Sequence, residues 1–257
     1  MAVFPIQTDG SLGASPQIIT HFGALGPNTG RQEAPHPHMV LPDSNGRWVL
    51  VNDLGLDTTF VYSFDAGTGK LTEVSRTAAA PGSGPRHLAW HPNGRFVYSI
   101  NELANTLNTY LWNGNGNIIP MQENLSTLPA GFKGISGAGE VLVDAAGKYL
   151  YASNRGDDNI LICSIDQATF QLTVIGSVPT QGRTPRHFNF RYRSAAHFLE
   201  VFRTWYGPIH KAFIALPPEK GQALEADLTA LLNRLNIAGA GSLVVPGEYA
   251  EIVIVRR

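Results

Sequence analysis

The sequence predicts a mainly β protein with a small α+β tail at its carboxyl end. Three observations carry this prediction. A similar stretch of sequence occurs three times, and its turn glycines, Gly46, Gly94 and Gly147, lie 48 and 53 residues apart. Short apolar runs fill each recurrence and are separated by turns rich in Asn, Asp and Gly. From Ser194 onward, the apolar residues change to helical spacing.

Each recurrence is expected to hold four short strands. Residues 85–102 predict two antiparallel strands joined by a Pro-Asn-Gly turn, and similar text begins at His38 and at Gly139. Polar residues follow the turn glycines at fixed distances: Asp53, Asn101 and Asn154; Asp57, Asn105 and Asp158; Asp65, Asn113 and Asp166. A four-stranded unit of this length is typical of one blade of a β-propeller. Complete blades are expected at 38–85, 86–138 and 139–185, with half-blades at both ends of residues 1–190.

Composition is that of an ordinary globular protein, with 43% hydrophobic and 15% charged residues. A net charge of -1 and the absence of any Lys/Arg cluster argue against nucleic acid or an anionic membrane as partner. The single cysteine, Cys163, lies in an apolar run and is expected in the core of a protein from a reducing compartment. Because the sequence shows neither a leader pattern nor 18 consecutive apolar residues, we expect a soluble, cytoplasmic protein.

The tail, residues 191–257, is expected to form a separate α+β unit. Ser194 is a plausible N-cap for a first helix whose apolar face contains Phe198, Val201, Phe202 and Trp205. A second helical segment is expected at 210–216, and an amphipathic helix at 219–235. Its inward leucines would be Leu224, Leu228, Leu231, Leu232 and Leu235. Two strands are expected at 242–245 and 249–255, around Pro246-Gly247.

Residues 1–190 resemble the lactonase family of the 6-phosphogluconolactonase type. The similar stretches are His38 with 84–87, 91–96, 101–103, 152–156 and 184–186. The resemblance covers nearly three quarters of the chain. It implies a partial seven-bladed-type β-propeller, with about half of the blades, and hydrolysis of a sugar lactone such as 6-phospho-glucono-1,5-lactone. The relatives of that family include a muconate-lactonizing cycloisomerase.

The tail resembles the carboxyl-terminal end of S-adenosylmethionine-dependent methyltransferases, at 192–198, 206–208, 224–228 and 244–249. The strand, Gly-rich loop and helix that bind the cofactor in such enzymes would lie upstream, and no such element is found in this sequence. The two resemblances meet at 188–190. We therefore hypothesise a chimeric or truncated chain that has no cofactor.

The candidate catalytic residues are Glu102, His38, Arg86 and Arg186, which match the site positions of the lactonase family by resemblance. Repeat-start positions lie on the innermost strand of a blade, so His38, Arg86 and Arg186 should face the central channel. Lactone hydrolysis needs a general base and a positive group near the developing oxyanion. Glu102 or His38 would be the base, and the arginines would bind an anion and the oxyanion.

Several alternatives remain open for these residues. Arg86 and Arg186 could equally hydrogen-bond carbonyl groups between blades. His87 and His187 follow the arginines and are candidates for substrate binding, although strand alternation could turn them toward neighbouring strands. His36 and His38 lack the convergent further ligands of a zinc site, so no metal is predicted.

Three functions follow from these patterns. The first is a lactonase, weakened by the missing blades, that takes a small sugar-phosphate lactone. The second is an inert or binding-only propeller fragment, and the third is a methyltransferase-related protein without its cofactor site. Because a partial propeller leaves sheet edges uncovered, a homodimer that covers them is also expected.

Overall fold

Two compact units, Met1–Arg186 and His187–Arg257, make up the fold. The computed structural model describes residues 1–9, 11–14, 16–180, 183–187, 189–205, 207–238 and 242–246. The first unit is built almost entirely of strands, and all helices in the described residues lie in the second. The mainly β prediction, with a partial propeller and a helical carboxyl-terminal tail, is confirmed.

Three four-stranded antiparallel sheets account for most of the first unit. A short pair, β1 (Ala2–Val3) and β2 (Gln17–Ile18), precedes them. The first sheet contains β3 (Pro37–Pro42), β4 (Trp48–Asp53), β5 (Thr58–Asp65) and β6 (Lys70–Ala78). The second contains β7 (Pro85–Trp90), β8 (Phe96–Asn101), β9 (Thr106–Trp112) and β10 (Ile118–Ser126). The third contains β11 (Ala138–Val143), β12 (Tyr149–Asn154), β13 (Asn159–Ile165) and β14 (Leu172–Pro179).

The recurring turn residues have the backbone conformation that their chemistry favours. The predicted turn glycines have positive φ angles of 64°, 69° and 66° at Gly46, Gly94 and Gly147. The polar residues Asp57, Asn105 and Asp158 also have positive φ, at 49°, 54° and 51°. Asn and Asp tolerate this left-handed region better than other residues with a Cβ. The repeated polar positions therefore mark the tight turns between the second and third strands of each sheet.

Apolar side chains between consecutive sheets form the core of the first unit. Leu50 and Val61 of the first sheet pack with Leu88 and Val97 of the second. A further cluster joins the second and third sheets, and it includes Cys163, which has no exposed surface. Burial raises the pKa of the Cys163 thiol to about 12. The predicted core position of this cysteine is confirmed.

An irregularity at the start of each sheet bears directly on function. The pairing of β3 with β4 skips a residue between Pro37 and Met39, and that of β7 with β8 skips one between Pro85 and His87. The extra residues are His38 and Arg86. A β-bulge of this kind redirects the side chain of the extra residue. The third sheet has its irregularity at the equivalent place, between 138 and 141.

The second unit contains helices α1 (Ala195–Trp205), α2 (Gly207–Ala215) and α3 (Pro218–Leu235), with strands β15 (Asn189–Tyr192) and β16 (Leu243–Pro246). The backbone N–H of His197 donates to Ser194 Oγ at 3.1 Å, so the predicted N-cap is confirmed. Leu228 and Leu232 of α3 are buried. None of the helices in the described ranges is long and apolar enough to span a membrane.

The region where the two resemblances meet differs from the sequence expectation. Asn189 and Phe190, which fall in the half-blade expected at the end of residues 1–190, pair with β16 of the second unit instead. The expected strand at 249–255 lies outside the described residues. The methyltransferase resemblance of the tail stays a prediction.

Candidate active site

The carboxylate of Glu102 is the centre of a cluster of cationic side chains. Its Oε2 accepts a hydrogen bond from Arg86 Nε at 2.9 Å, and its Oε1 accepts one from Arg31 Nη2 at 2.9 Å. Arg155 Nη2 forms a third ion pair, 2.9 Å from Oε2. The Glu102 side chain is only 9% exposed. Three guanidinium groups therefore surround one nearly buried carboxylate.

Arg86 holds this carboxylate from the buried side. It is the extra residue of the bulge in β7, and its side chain is 2% exposed. A second hydrogen bond runs from its Nη1 to the carbonyl oxygen of Gly139, the residue at the equivalent position of the next sheet. Burial, followed by the charges of Arg155 and Arg186, lowers the pKa of Arg86 to about 10. Arg86 thus hydrogen-bonds a carbonyl group of the next blade, which was one of the alternatives for this residue. It also fixes the position of the Glu102 carboxylate.

His38 approaches the same carboxylate from the first sheet. Its Nε2 lies 4.0 Å from Glu102 Oε2, and its ring centroid lies 5.1 Å from that of His87. The Nδ1 atom is shielded from solvent and has no hydrogen-bond partner among the described residues. Burial, with the charge of Arg86 as the next cause, lowers the pKa of His38 to about 4. The imidazole is therefore neutral at pH 7.

His87 connects the cluster to a second carboxylate. Its Nδ1 lies 2.8 Å from Glu140 Oε1, and the Glu140 backbone N–H donates to Ser153 Oγ at 2.8 Å. Glu140 is 4% exposed and stands in the third repeat at the position that His87 has in the second. His87 thus contacts a carboxylate of the third sheet, whereas strand alternation predicted contact with the neighbouring strands of its own blade.

The two remaining predicted residues lie near the boundary between the units. Arg186 is exposed, and its positive charge lowers the pKa values of both His38 and Arg86, so it acts on this cluster. His187 is also exposed and is the first residue of the second unit. Of the four predicted catalytic residues, His38 and Arg86 both approach Glu102, at 4.0 and 2.9 Å from its Oε2.

Sequence reasoning missed three residues of the cluster. Arg155 occupies in the third repeat the position that Glu102 has in the second, so the repeat register could have found it. Glu140 could have been found by the same comparison with His87. Arg31 lies in the connection between β2 and β3, outside all three repeats, and no sequence signal indicates it.

The cluster carries more positive than negative charge. Burial opposes the ionisation of Glu102, but the hydrogen bond from Arg31 and the charges of Arg155 and Arg86 outweigh it and lower its pKa. Glu102 therefore stays ionised and accounts for one negative charge against three guanidinium groups. Such an arrangement can bind anions and stabilise a developing oxyanion. Among the described residues, no group of three or more His, Cys, Asp and Glu side chains could hold a metal ion.

Comparison with known proteins identifies the family of this chain. The family described as "Lactonase, 7-bladed beta-propeller" matches residues 1–199. The chain belongs to this lactonase family. Its similarity to the family covers the whole first unit and every residue of the Glu102 cluster.

Comparisons with individual proteins agree with this family assignment. It is 34% identical over 188 residues to the 6-phosphogluconolactonase of Bacillus subtilis, covering 73% of this chain and 53% of that protein. It is 31% identical over 207 residues to the 6-phosphogluconolactonase of Formosa agariphila, covering 78% and 57%. The solved structure of a periplasmic gluconolactonase from Pseudomonas aeruginosa matches with a TM-score of 0.65 at 31% identity, covering 76% and 54%. The chain thus spans about half the length of these relatives.

Proposed function

We propose that this chain hydrolyses a sugar lactone, such as 6-phospho-glucono-1,5-lactone, to the sugar acid, as a carboxylic ester hydrolase. The observation that supports this best is the neutral His38 imidazole next to a carboxylate that three guanidinium groups hold in place. Hydrolysis of a lactone needs a base for the attacking water and positive charge at the carbonyl oxygen. The cluster contains both.

His38, rather than Glu102, is assigned as the general base. Both carboxylate oxygens of Glu102 already contact guanidinium nitrogens at 2.9 Å, so neither oxygen is open to a water molecule. The pKa of His38, at about 4, leaves the imidazole neutral and able to accept a proton. Because Nδ1 is shielded from solvent, Nε2 is the nitrogen assigned to proton transfer.

The reaction then proceeds in two steps. His38 Nε2 takes a proton from water as the water oxygen bonds to the lactone carbonyl carbon, and the carbonyl oxygen becomes an oxyanion. The partly exposed guanidinium group of Arg155 supplies positive charge near this oxyanion. When the ring C–O bond breaks, the ring oxygen takes the proton back from His38. One water is consumed, and the imidazole returns to its neutral form.

Arg86 and Glu102 act as positioning residues in this scheme. A side chain that is 2% exposed, as in Arg86, has little surface for a substrate. Its bonds to Glu102 and to the Gly139 carbonyl orient the carboxylate, and that carboxylate stabilises the imidazolium formed on His38. Arg186, which is exposed, remains a candidate for binding the anionic substrate.

The second candidate is a protein that binds sugar acids or lactones without turnover. The three guanidinium contacts on Glu102 favour this candidate, because such a network can bind anions without taking part in a reaction.

Hydrolysis of freshly prepared 6-phosphogluconolactone, measured in a pH-stat against spontaneous hydrolysis, separates the two candidates. We expect turnover above background, reduced about 100-fold or more in His38→Gln. His36→Gln is the matched control, because His36 contacts Glu33 at 2.9 Å and lies outside the Glu102 cluster. Binding of the product acid without any turnover would support the binding-only candidate and contradict the hydrolase.

A further inference from the structure

The connection that carries Arg31 is held at both of its ends by one carboxylate. Asp53, at the end of β4, accepts a hydrogen bond from the His36 backbone N–H on Oδ1 at 2.8 Å. Its Oδ2 lies 2.7 Å from Nδ1 of His21. Asp53 and His21 are fully buried at their side chains. The loop between residues 21 and 36 is therefore closed by interior contacts.

The residues next to Arg31 are also fixed. Gln32 is 1% exposed and donates its side-chain amide to the Leu54 carbonyl at 2.8 Å. Its Oε1 accepts the Asn28 backbone N–H at 3.0 Å, and the Arg31 backbone N–H donates to the Asn28 carbonyl at 3.0 Å. The backbone of Arg31 is thus ordered before any ligand arrives, which lowers the entropy cost of binding.

Arg31 differs from the other two arginines on Glu102 in the surface that it exposes. The side chain of Arg31 is 45% exposed, against 16% for Arg155 and 2% for Arg86. Arg155 also donates to the carbonyl groups of residues 137 and 138. Within the described part of the chain, the Arg31 guanidinium hydrogen-bonds Glu102 alone. No other residue in the described ranges accepts a hydrogen bond from this guanidinium, and nearly half of its side-chain surface is open to solvent.

We propose that Arg31 is the residue that selects a phosphorylated ligand, by donating its outward N–H groups to a phosphate monoester. The planar guanidinium matches two phosphate oxygens, and Glu102 fixes its orientation by holding the inner nitrogen. Three guanidinium groups contact the Glu102 carboxylate, which balances only one of their three charges. This assignment rests on the proposed function for the class of ligand.

Calorimetry with two acids that differ only in the phosphate tests the assignment. We expect the unmodified chain to bind 6-phosphogluconate more tightly than gluconate. Arg31→Gln should reduce that preference about tenfold or more, since a charge-assisted bidentate contact is lost. Arg31→Lys keeps the charge without the planar fork and should retain an intermediate preference. Arg47→Gln removes the same charge from the exposed β3–β4 turn and should leave the preference unchanged.

The outcomes separate this proposal from the proposed hydrolysis. A preference that is unchanged in Arg31→Gln, or affinities for both acids that fall equally, would overturn the assignment of Arg31. So would an unmodified chain that binds neither acid. An unmodified chain that prefers 6-phosphogluconate, with the preference lost in Arg31→Gln but without lactone turnover, would contradict the hydrolase alone. If the circular dichroism spectrum of Arg31→Gln shows that this variant is unfolded, the ligand preference of Arg31→Lys tests the assignment of Arg31 instead.

Discussion

His21 Nδ1 lies 2.7 Å from Asp53 Oδ2, with no exposed surface on either side chain. The opposite ring nitrogen of His21 lies 2.9 Å from the hydroxyl of Tyr62. On its other oxygen, Asp53 accepts backbone N–H groups from His36, Gly55 and Leu56. This buried network belongs to the connection that presents Arg31, so its loss should affect both stability and ligand binding.

Asp53→Asn should therefore destabilise the first unit. The amide keeps one oxygen for the backbone N–H groups but removes the charge that faces His21. We expect a loss of about 2 kcal/mol, the size of a buried hydrogen bond to a charged group. Urea unfolding followed by tryptophan fluorescence measures it. Asp65→Asn is the control, since Asp65 is exposed at a turn, and equal midpoints for the two variants would contradict the prediction.

Gly147→Ala should destabilise the protein more than Gly46→Ala. The two glycines have nearly the same φ, 66° and 64°, so the strain of the left-handed region is matched at about 1 kcal/mol. A Cβ at Gly147 would clash with Nε2 of His91, whereas one at Gly46 would meet nothing within 4 Å. His91 Nε2 also lies 3.0 Å from the Gly147 carbonyl oxygen. Equal losses in thermal unfolding would show that the His91 contact is unimportant.

Glu102→Gln should cost more stability than Arg31→Gln. Removing the Glu102 charge leaves the buried Arg86 and the partly exposed Arg155 without their counter-ion, at a cost of about 3 kcal/mol. Removing Arg31, which is 45% exposed, should cost less than about 1 kcal/mol. Urea unfolding of the two variants compares them directly. A larger loss in Arg31→Gln would mean that the carboxylate is not the centre of the cluster.

The activity should stay high well below pH 6.5 and decline as the pH falls through about 4. The neutral form of His38 is the active one, and burial, followed by the charge of Arg86, lowers its pKa from the usual 6.5 to about 4. The same group can be titrated directly by NMR of its imidazole. Glu102→Gln removes a charge that raises this pKa, so the His38 midpoint should move lower still. A His38 midpoint near 6.5 would remove the basis for a neutral base at this site.

The chain should associate with a second copy of itself. The outer strand of the third sheet, β14, exposes Val174, Ile175 and Val178. Exposed apolar side chains on an outer strand favour pairing with another surface. Sedimentation at micromolar concentration should show dimers, and Ile175→Lys should weaken them. A monomer at all concentrations tested would contradict the expectation.

The predictions from sequence succeeded where neighbours along the chain decide the structure. Asp57, Asn105 and Asp158 were recognised as repeated polar positions, and they occupy the left-handed turns of their sheets. Ser194 caps α1 as expected. By contrast, local similarity places Asn189 and Phe190 in the half-blade at the end of residues 1–190. Their partner strand in the structure is β16, more than 50 residues later in the chain.

The sequence by itself determined the repeat, the four strands of each sheet, the tail helices and the candidacy of His38, Arg86 and Glu102. The alternation of apolar and polar residues and the chemistry of turns depend on residues only a few positions apart. A repeat shows the same pattern several times, so both can be recognised in the sequence. Tertiary structure alone decided that Arg31 meets Glu102, 71 positions later in the chain. The reason is physical: which side chains share a carboxylate depends on how sheets and connections pack, and a bulge decides where each side chain points.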